Sequence, residues 1–157
     1  MDSLEKVVEN IKSVKVQGAK EIAIYALKFL KQFCRKNGFQ LKFEVAAMIL
    51  ERARPTAVVL HNCLQILMKK RSIKTIDQLL KSLKNSTTKI AKVGSKLVKN
   101  NYTIMTHCHS GEAMVVIKQA WKEGKNISVI ATETKPLEQG IKTVKELAKE
   151  KLSLIHI

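Results

Sequence analysis

The spacing of apolar residues changes near Asn100-Asn101, and this change constrains the fold more than any other feature of the sequence. Residues 3–100 repeat their apolar positions about every 3.6 residues, which is typical of amphipathic helices, and they show no strand pattern. Beyond this point, short β-branched runs are separated by helical segments, an order that is typical of an open α/β sheet. We therefore predict an α + α/β protein in which a helical bundle precedes a parallel sheet.

The helical half is expected to contain six helices. Ser3 is placed to cap the first, Asn37-Gly38 to close the second, and Pro55 to open the fourth, because proline suits the first helical turn. Thr87 or Thr88 is expected to cap the sixth. The apolar stripes that predict the six helices are Leu4 to Ile11, Ile22 to Cys34, Leu41 to Arg52, Val58 to Leu67, Ile76 to Leu83 and Ile90 to Val98.

The second half predicts a strand, a helix, a strand and a helix in turn. The first strand is "YTIMTHC" (102–108), and Ser110-Gly111-Glu112 begins a helix that runs through Trp121. The second strand is "ISVIAT" (127–132), and a helix follows the interruption at Pro136. The apolar residues of "LSLIHI" (152–157) allow a third strand. So small a parallel sheet leaves its edge strands unpaired and one face uncovered. We therefore expect either a longer native protein or a partner.

Composition indicates a soluble globular protein of the cytoplasm. Apolar residues make up 45% and charged residues 27% of the chain, and the longest apolar run, Val45 to Leu50, is too short to span a bilayer. The acidic, amphipathic N-terminus does not resemble a secretory signal. Cys34, Cys63 and Cys108 are too widely spaced to suggest a disulfide framework or a zinc module, which favours a reducing compartment.

A formal net charge of +16 allows three interpretations. Basic surfaces bind nucleic acid by releasing phosphate counterions. Aromatic residues make up only 4% of the chain and no basic run is interleaved with them, which argues against a nucleic-acid partner. The other interpretations are a solvated lysine surface and a site for a small anionic ligand, which the same field would attract.

Two predicted loops carry polar residues at positions where a site could form. In an open parallel sheet, ligands bind beyond the carboxyl ends of the strands. Cys108 lies at that end of the first strand and Thr132 to Lys135 at that end of the second, so the loops converge if the strands are neighbours. Ser110 and Gly111 add helix N-terminal amides, which attract anions and favour a thiolate. A buried, inert thiol is the alternative.

The segment "THCHS" (106–110) could also form a metal site. His107 and His109 would share one side of an extended chain, opposite Cys108, and could hold an ion. A zinc ion needs a third or fourth protein ligand, and none is evident nearby in the sequence. We therefore predict no metal. The sequence also lacks the G-x-S-x-G elbow of a serine hydrolase.

Two segments of the helical half could bind phosphate. Arg54 stands directly before the Pro-Thr start of a predicted helix, a geometry that presents a guanidinium beside free helix amides. In "VQGAKE" (16–21), Gly18 precedes a helix and lets the backbone approach an anion closely. Each signal is weak alone, because arginines and single glycines are common at helix ends.

Several motifs occur together in an order that resembles one family. "ARPTAV" (53–58), "THCHS" (106–110) and "TETKPLEQG" (132–140), followed by "TVKELAKE" (143–150), resemble the archaeal ribose-1,5-bisphosphate isomerases. That family shares its fold with methylthioribose-1-phosphate isomerase and with the regulatory subunits of the exchange factor for eukaryotic translation initiation factor two. The resemblance covers nearly the whole chain and implies an N-terminal helical domain followed by a Rossmann-like domain.

The resemblance also implies roles for particular residues. Cys108 matches the family's proton-transfer cysteine, in an isomerase that converts ribose 1,5-bisphosphate to ribulose 1,5-bisphosphate during nucleotide salvage. No cofactor is expected. The residues that would hold the phosphates of the sugar are Gly18, Ala19, Lys20, Arg54, Thr134, Lys135 and Gln139.

The chain departs from the family in three ways. Gln17 and Lys135 stand where the family has arginines, and Lys20 offers only a flexible ammonium in place of a guanidinium fork. Family members are much longer, and their catalytic aspartate lies in the additional part. Nothing after Lys151 matches the expected Asp-Ser-Ala strand, so residues 152–157 are interpreted as non-native sequence read through in a truncated gene.

We accordingly expect a helical domain over 1–101, an incomplete Rossmann-like domain over 102–151 and a non-native tail over 152–157. This chain is expected to be inactive alone, whereas the full-length protein is expected to form a homo-oligomer. The alternative is a non-catalytic protein similar to the regulatory subunits, which would bind a sugar phosphate or nucleotide and contact a translation factor.

Overall fold

The computed structural model describes residues 2–157. The chain divides into two compact units, Met1–Lys84 and Asn85–Ile157. Its helices are α1 (Leu4–Lys12), α2 (Ala19–Asn37), α3 (Leu41–Ala53), α4 (Val58–Lys69), α5 (Ile73–Gly94), α6 (Gly111–Lys122) and α7 (Gln139–Ala148), with a 3₁₀ turn at Ser95–Leu97. Its strands are β1 (Thr103–Thr106), β2 (Ser128–Ala131) and β3 (Ser153–His156).

Apolar stripes build the core of the helical unit. Ser3 caps α1 as predicted, since its hydroxyl accepts a hydrogen bond from the Lys6 N–H at 3.3 Å. Gly38 closes α2 with a left-handed φ of 69°, and its N–H donates to the Cys34 carbonyl at 2.8 Å. The fully buried side chains that fill the core include Val7, Ile11, Leu27, Leu30, Phe43, Leu50, Leu67 and Ile76.

Two predicted helix boundaries are wrong. One helix, α5, runs through Thr87 and Thr88, where the sequence predicted the start of a sixth helix. No glycine or proline interrupts this stretch, and polar side chains are tolerated on the surface of a long helix. In addition, α4 begins at Val58 rather than at Pro55. A proline disfavours helical geometry at the residue before it. Arg54, which precedes Pro55, is accordingly extended, with φ −151° and ψ 86°, and a turn separates it from α4.

The second unit contains a parallel three-stranded sheet in the order β1-β2-β3. Thr106 is paired with Ala131, which is paired in turn with His156, so all three strands end in the same row. Helices α6 and α7 connect successive strands, as parallel pairing requires. The segments that follow β1 and β2 therefore leave the sheet side by side, which is the arrangement that the sequence predicted.

The two faces of this sheet have different surroundings. Val129 is fully buried on one face, in a cluster with Met114 and Ile117 of α6 and Leu147 of α7. The opposite face carries a row of apolar side chains across the three strands, Met105, Ile130 and Ile155, of which the first is 64% and the last 52% exposed. Parallel sheets are normally covered on both faces, so this row is open for packing.

The predicted fold class is confirmed: a helical bundle is followed by the first strands of a parallel α/β sheet. The third strand that "LSLIHI" allows is present as β3. The domain limits at residue 101 and the non-native origin of residues 152–157 stay predictions. None of the helices among residues 2–157 is both long enough and apolar enough to cross a membrane.

The packing of α3 yields a stability prediction. Leu50 is fully buried in the helical core, whereas Leu41 on the same helix is 72% exposed. We expect Leu50→Ala to lower the free energy of unfolding by about 2–5 kcal/mol, because the substitution leaves a cavity. Leu41→Ala is the matched control and should change it by less than about 0.5 kcal/mol in chemical denaturation. Equal losses from the two variants would contradict the assignment of the core face.

Candidate functional site

Two loops meet at the carboxyl edge of the sheet. The Cys108 loop (residues 107–110) follows β1, and the Thr134 loop (residues 132–138) follows β2. The backbone N–H of Cys108 donates a hydrogen bond to Oγ1 of Thr134 at 3.0 Å. That hydroxyl in turn donates to the carbonyl of Thr132 at 3.1 Å. Ser110 caps α6 beside the cysteine, since its hydroxyl accepts from the Ala113 N–H at 3.3 Å. The predicted convergence of the Cys108 loop and the Thr134 loop is therefore present.

Both residues of this contact have a strained backbone. Cys108 has a φ of 62° and Thr134 a φ of 63°, in the left-handed region. Such values are uncommon for non-glycine residues and are true outliers for a β-branched residue such as threonine. Each costs on the order of 1–3 kcal/mol and persists only where the surroundings enforce it, as they often do at functional sites. The strain thus marks this edge as a candidate site.

The two histidines of "THCHS" contact different parts of the sheet unit. His107 Nδ1 lies 2.9 Å from Oγ1 of Thr132, and His109 Nδ1 lies 3.0 Å from Oγ1 of Thr143. The prediction that both rings share one side of an extended chain is wrong, because Cys108 is not extended. Within the described part of the chain, no group of three or more His, Cys, Asp or Glu residues is arranged to hold a metal ion.

The Thr134 loop reaches α7 through a close backbone contact. Lys135 is exposed, with Nζ 3.9 Å from Glu133 Oε1, and Gln139 is the first residue of α7. The Gly140 N–H donates to the Glu133 carbonyl at 3.0 Å. A Cβ at Gly140 would lie only 1.8 Å from the Thr132 carbonyl oxygen, so only glycine fits. The role of Gly140 was not predicted; the available signal in the sequence was a glycine in the first turn of a helix.

The start of α2 contains three of the predicted phosphate ligands. Gly18 is its N-cap, with a φ of 90°, and Ala19 and Lys20 are its first two helical residues. The carboxylate of Glu21 lies against the glycine, since a Cβ at Gly18 would be 2.2 Å from Glu21 Oε2. Lys20 Nζ is 3.4 Å from Glu21 Oε1. A phosphate at this helix end would therefore compete with the Glu21 carboxylate.

Arg54 is the fourth predicted phosphate ligand of the helical unit. Its backbone closes α3, and its carbonyl accepts a hydrogen bond from the Ala57 N–H at 2.9 Å. Its side chain is partly buried, and Nη1 is buried without a hydrogen-bond partner among the described residues. A buried donor without an acceptor is costly, so an anion at this nitrogen would be stabilised.

The three cysteines differ in their surroundings. Cys34 on α2 and Cys63 on α4 are buried, whereas Cys108 is partly exposed, and none forms a disulfide. Burial raises the pKa of the Cys34 thiol to about 11 and also raises the pKa of Cys63. Thiolates are the reactive form of cysteine, so the two thiols in the helical core are held in their unreactive form. Cys108 is the least buried of the three cysteines.

The protein is of a two-unit class, in which a helical unit is followed by a parallel α/β unit that carries a cysteine after its first strand. Residues 15–157 match the model of the Initiation factor 2 subunit family. The chain belongs to this family.

The chain is also similar to individual proteins. The chain is 37% identical to ribose 1,5-bisphosphate isomerase of Archaeoglobus fulgidus, over 94% of this chain and 51% of that protein. The isomerase of Methanocaldococcus jannaschii is also 37% identical, over 94% of this chain and 52% of its own length. A translation initiation factor eIF-2B of Pyrococcus horikoshii shares the fold, with a TM-score of 0.86, 16% identity and coverage of 98% of this chain and 58% of that structure. The chain thus spans about half the length of these isomerases.

The contrast between the cysteines yields a chemical prediction. At about pH 8, iodoacetamide should modify Cys108 at least about tenfold faster than Cys34 or Cys63, because burial shields those thiols and raises their pKa. Peptide mass spectrometry over a time course measures the three rates separately. In denaturant, the three thiols should react at similar rates. Equal rates in the folded chain would show that Cys108 is as inert as the core cysteines.

Proposed function

We propose that this chain is the N-terminal part of a sugar-phosphate isomerase that converts ribose 1,5-bisphosphate to ribulose 1,5-bisphosphate. The observation that carries the proposal is the contact between the Cys108 loop and the Thr134 loop at the carboxyl edge of the sheet. This contact holds a partly exposed cysteine at the edge where parallel sheets bind ligands. Relatives that bear the name ribose 1,5-bisphosphate isomerase match nearly all of the chain, which supports the substrate class.

Cys108 is proposed to transfer a proton of the sugar. In this conversion the bond between C1 and the ring oxygen breaks, the ring oxygen gains a proton, and the C2 hydroxyl loses its proton as the ketone forms. C2 also loses a proton from carbon and C1 gains one, so the composition of the molecule is unchanged. Such a transfer needs a base and an acid placed on adjacent carbons. A thiolate at residue 108 supplies one of them. The other group is proposed to be an aspartate, as the resemblance implies, from the part of the relatives that this chain does not match.

The phosphates of the substrate are proposed to bind residues in loops and at helix starts. Arg54 supplies the buried Nη1, which has no other acceptor among the described residues. Gly18, Ala19 and Lys20 supply the positive end of α2, where the ligand would displace the Glu21 carboxylate. In the α/β unit the ligands would come from Thr134, Lys135 and Gln139. The net charge of +16 would attract a bisphosphate over a longer range.

The complete protein is proposed to be cytoplasmic, because its cysteines are free, and to form a homo-oligomer, as the resemblance implies. A second candidate function is a non-catalytic subunit that binds a sugar phosphate or nucleotide and contacts a translation factor. The specific observation that favours it is that Gln17 and Lys135 stand where the resemblance implies arginines. Neither side chain reproduces the bidentate phosphate binding of a guanidinium.

The protein expressed from its complete gene tests the first proposal. We expect it to interconvert ribose 1,5-bisphosphate and ribulose 1,5-bisphosphate. Phosphorus NMR measures this conversion. Cys108→Ser should lower kcat by about 10²- to 10⁴-fold, the usual contribution of a proton-transfer group. Cys34→Ala, which removes a buried thiol, is the control and should retain turnover. We expect the 157-residue chain alone to show none, since it matches only about half the length of the isomerases that it resembles.

The outcomes of this experiment test both the role of Cys108 and the choice between the two candidates. Turnover that Cys108→Ser leaves unchanged would remove the cysteine from the mechanism. Tight binding of the bisphosphate without turnover by the complete protein would support the regulatory candidate instead, and efficient turnover would exclude that candidate.

A further inference from the structure

Thr143 of α7 lies beneath the Cys108 loop and contacts it directly. The residue is fully buried, although its side chain is polar. Its hydroxyl donates a hydrogen bond to the carbonyl oxygen of Cys108 at 3.0 Å. The N–H of the same cysteine donates to Thr134 at 3.0 Å. The backbone of Cys108 is therefore held on both sides, and neither hydrogen bond uses the thiol.

His109 completes the hydrogen bonding of Thr143. A hydroxyl has a single proton, and Thr143 uses that proton on the Cys108 carbonyl, which can only accept. The contact of 3.0 Å between His109 Nδ1 and the hydroxyl must therefore be donated by the ring. This fixes the orientation of the hydroxyl toward Cys108.

The other nitrogen of His109 faces a charged cluster between α6 and α7. His109 Nε2 lies 3.6 Å from Glu146 Oε2, and Lys118 Nζ lies 2.8 Å from the second oxygen of that carboxylate. Burial raises the pKa of Glu146, but the hydrogen bond and charge of Lys118, together with the charges of His109 and Lys142, outweigh burial and lower it. Glu146 is thus a carboxylate that holds the His109 ring in place.

We propose that Thr143 is a positioning residue that holds Cys108 in its left-handed conformation, with His109 orienting the Thr143 hydroxyl. The φ of 62° at Cys108 is unfavourable by itself and needs contacts on both sides of the residue. Thr134 supplies the contact at the N–H and Thr143 the contact at the carbonyl. The catalytic consequence rests on the proposed isomerase function, whereas the conformational consequence does not.

Alkylation of Cys108 in the 157-residue chain tests the conformational part. Thr143→Val keeps the shape of the side chain but removes both hydrogen bonds. The loop should open more often, and the partly buried thiol should react about five- to thirty-fold faster with iodoacetamide. Backbone hydrogen exchange across residues 107–110 should rise with it. Thr143→Ser retains the hydroxyl and should restore both rates to within about twofold of the parent.

Thr75 supplies the matched control. This threonine of the helical unit is 7% exposed and hydrogen-bonds through its hydroxyl to Ser72. Thr75→Val makes the same chemical change, yet it should leave the alkylation rate of Cys108 unchanged. Circular dichroism on every variant confirms that the chain is folded. If Thr143→Val is folded and alkylates at the parent rate, or if Thr143→Ser behaves like Thr143→Val, the proposal is wrong.

The complete protein tests the catalytic part separately. Thr143→Val should lower kcat about five- to thirty-fold with little change in KM, because it displaces the thiol without touching the phosphate ligands. A change confined to KM would overturn the positioning role. If the unsubstituted protein has no isomerase activity, the proposed function fails, while the alkylation result still decides whether Thr143 positions Cys108.

Discussion

The parallel pairing of β1 with β2 is the interaction on which the candidate site depends. Because Thr106 and Ala131 end their strands in the same row, the two following loops leave the sheet as neighbours. In this register the Cys108 N–H reaches the Thr134 hydroxyl. A slip of one residue would turn every side chain to the other face and separate the loops. The buried Val129 and the helices that pack on it enforce the register.

Three contacts then convert neighbouring loops into a rigid edge. Thr134 holds the amide of Cys108, Thr143 holds its carbonyl, and Gly140 brings the start of α7 against the Thr132 carbonyl. The left-handed backbone at Cys108 and Thr134 is the cost of this arrangement. A proton-transfer group must be held in a fixed position, because small displacements of a reacting group reduce rates strongly. The strained edge supplies such a position for the thiol.

Much of this structure could be predicted from local patterns. The helical periods, the caps at Ser3 and Ser110, and the two apolar strands all act over a few residues, and the convergence of the loops follows from parallel pairing. The continuous α5 was missed because threonine is both a cap and a tolerated surface residue. The roles of Gly140 and Thr143 were missed because each depends on a partner distant in sequence. For the same reason, no local pattern indicated the left-handed φ of Cys108.

The central claim is that a sugar phosphate binds at this edge with its reacting carbons in contact with the Cys108 side chain. The most direct measurement is a crystal structure of the protein expressed from its complete gene, carrying Cys108→Ser and bound to ribose 1,5-bisphosphate. The account predicts that C1 or C2 of the sugar contacts the side chain at residue 108 and that a phosphate contacts the Thr134 loop. A sugar phosphate bound away from the carboxyl ends of β1 and β2 would contradict it.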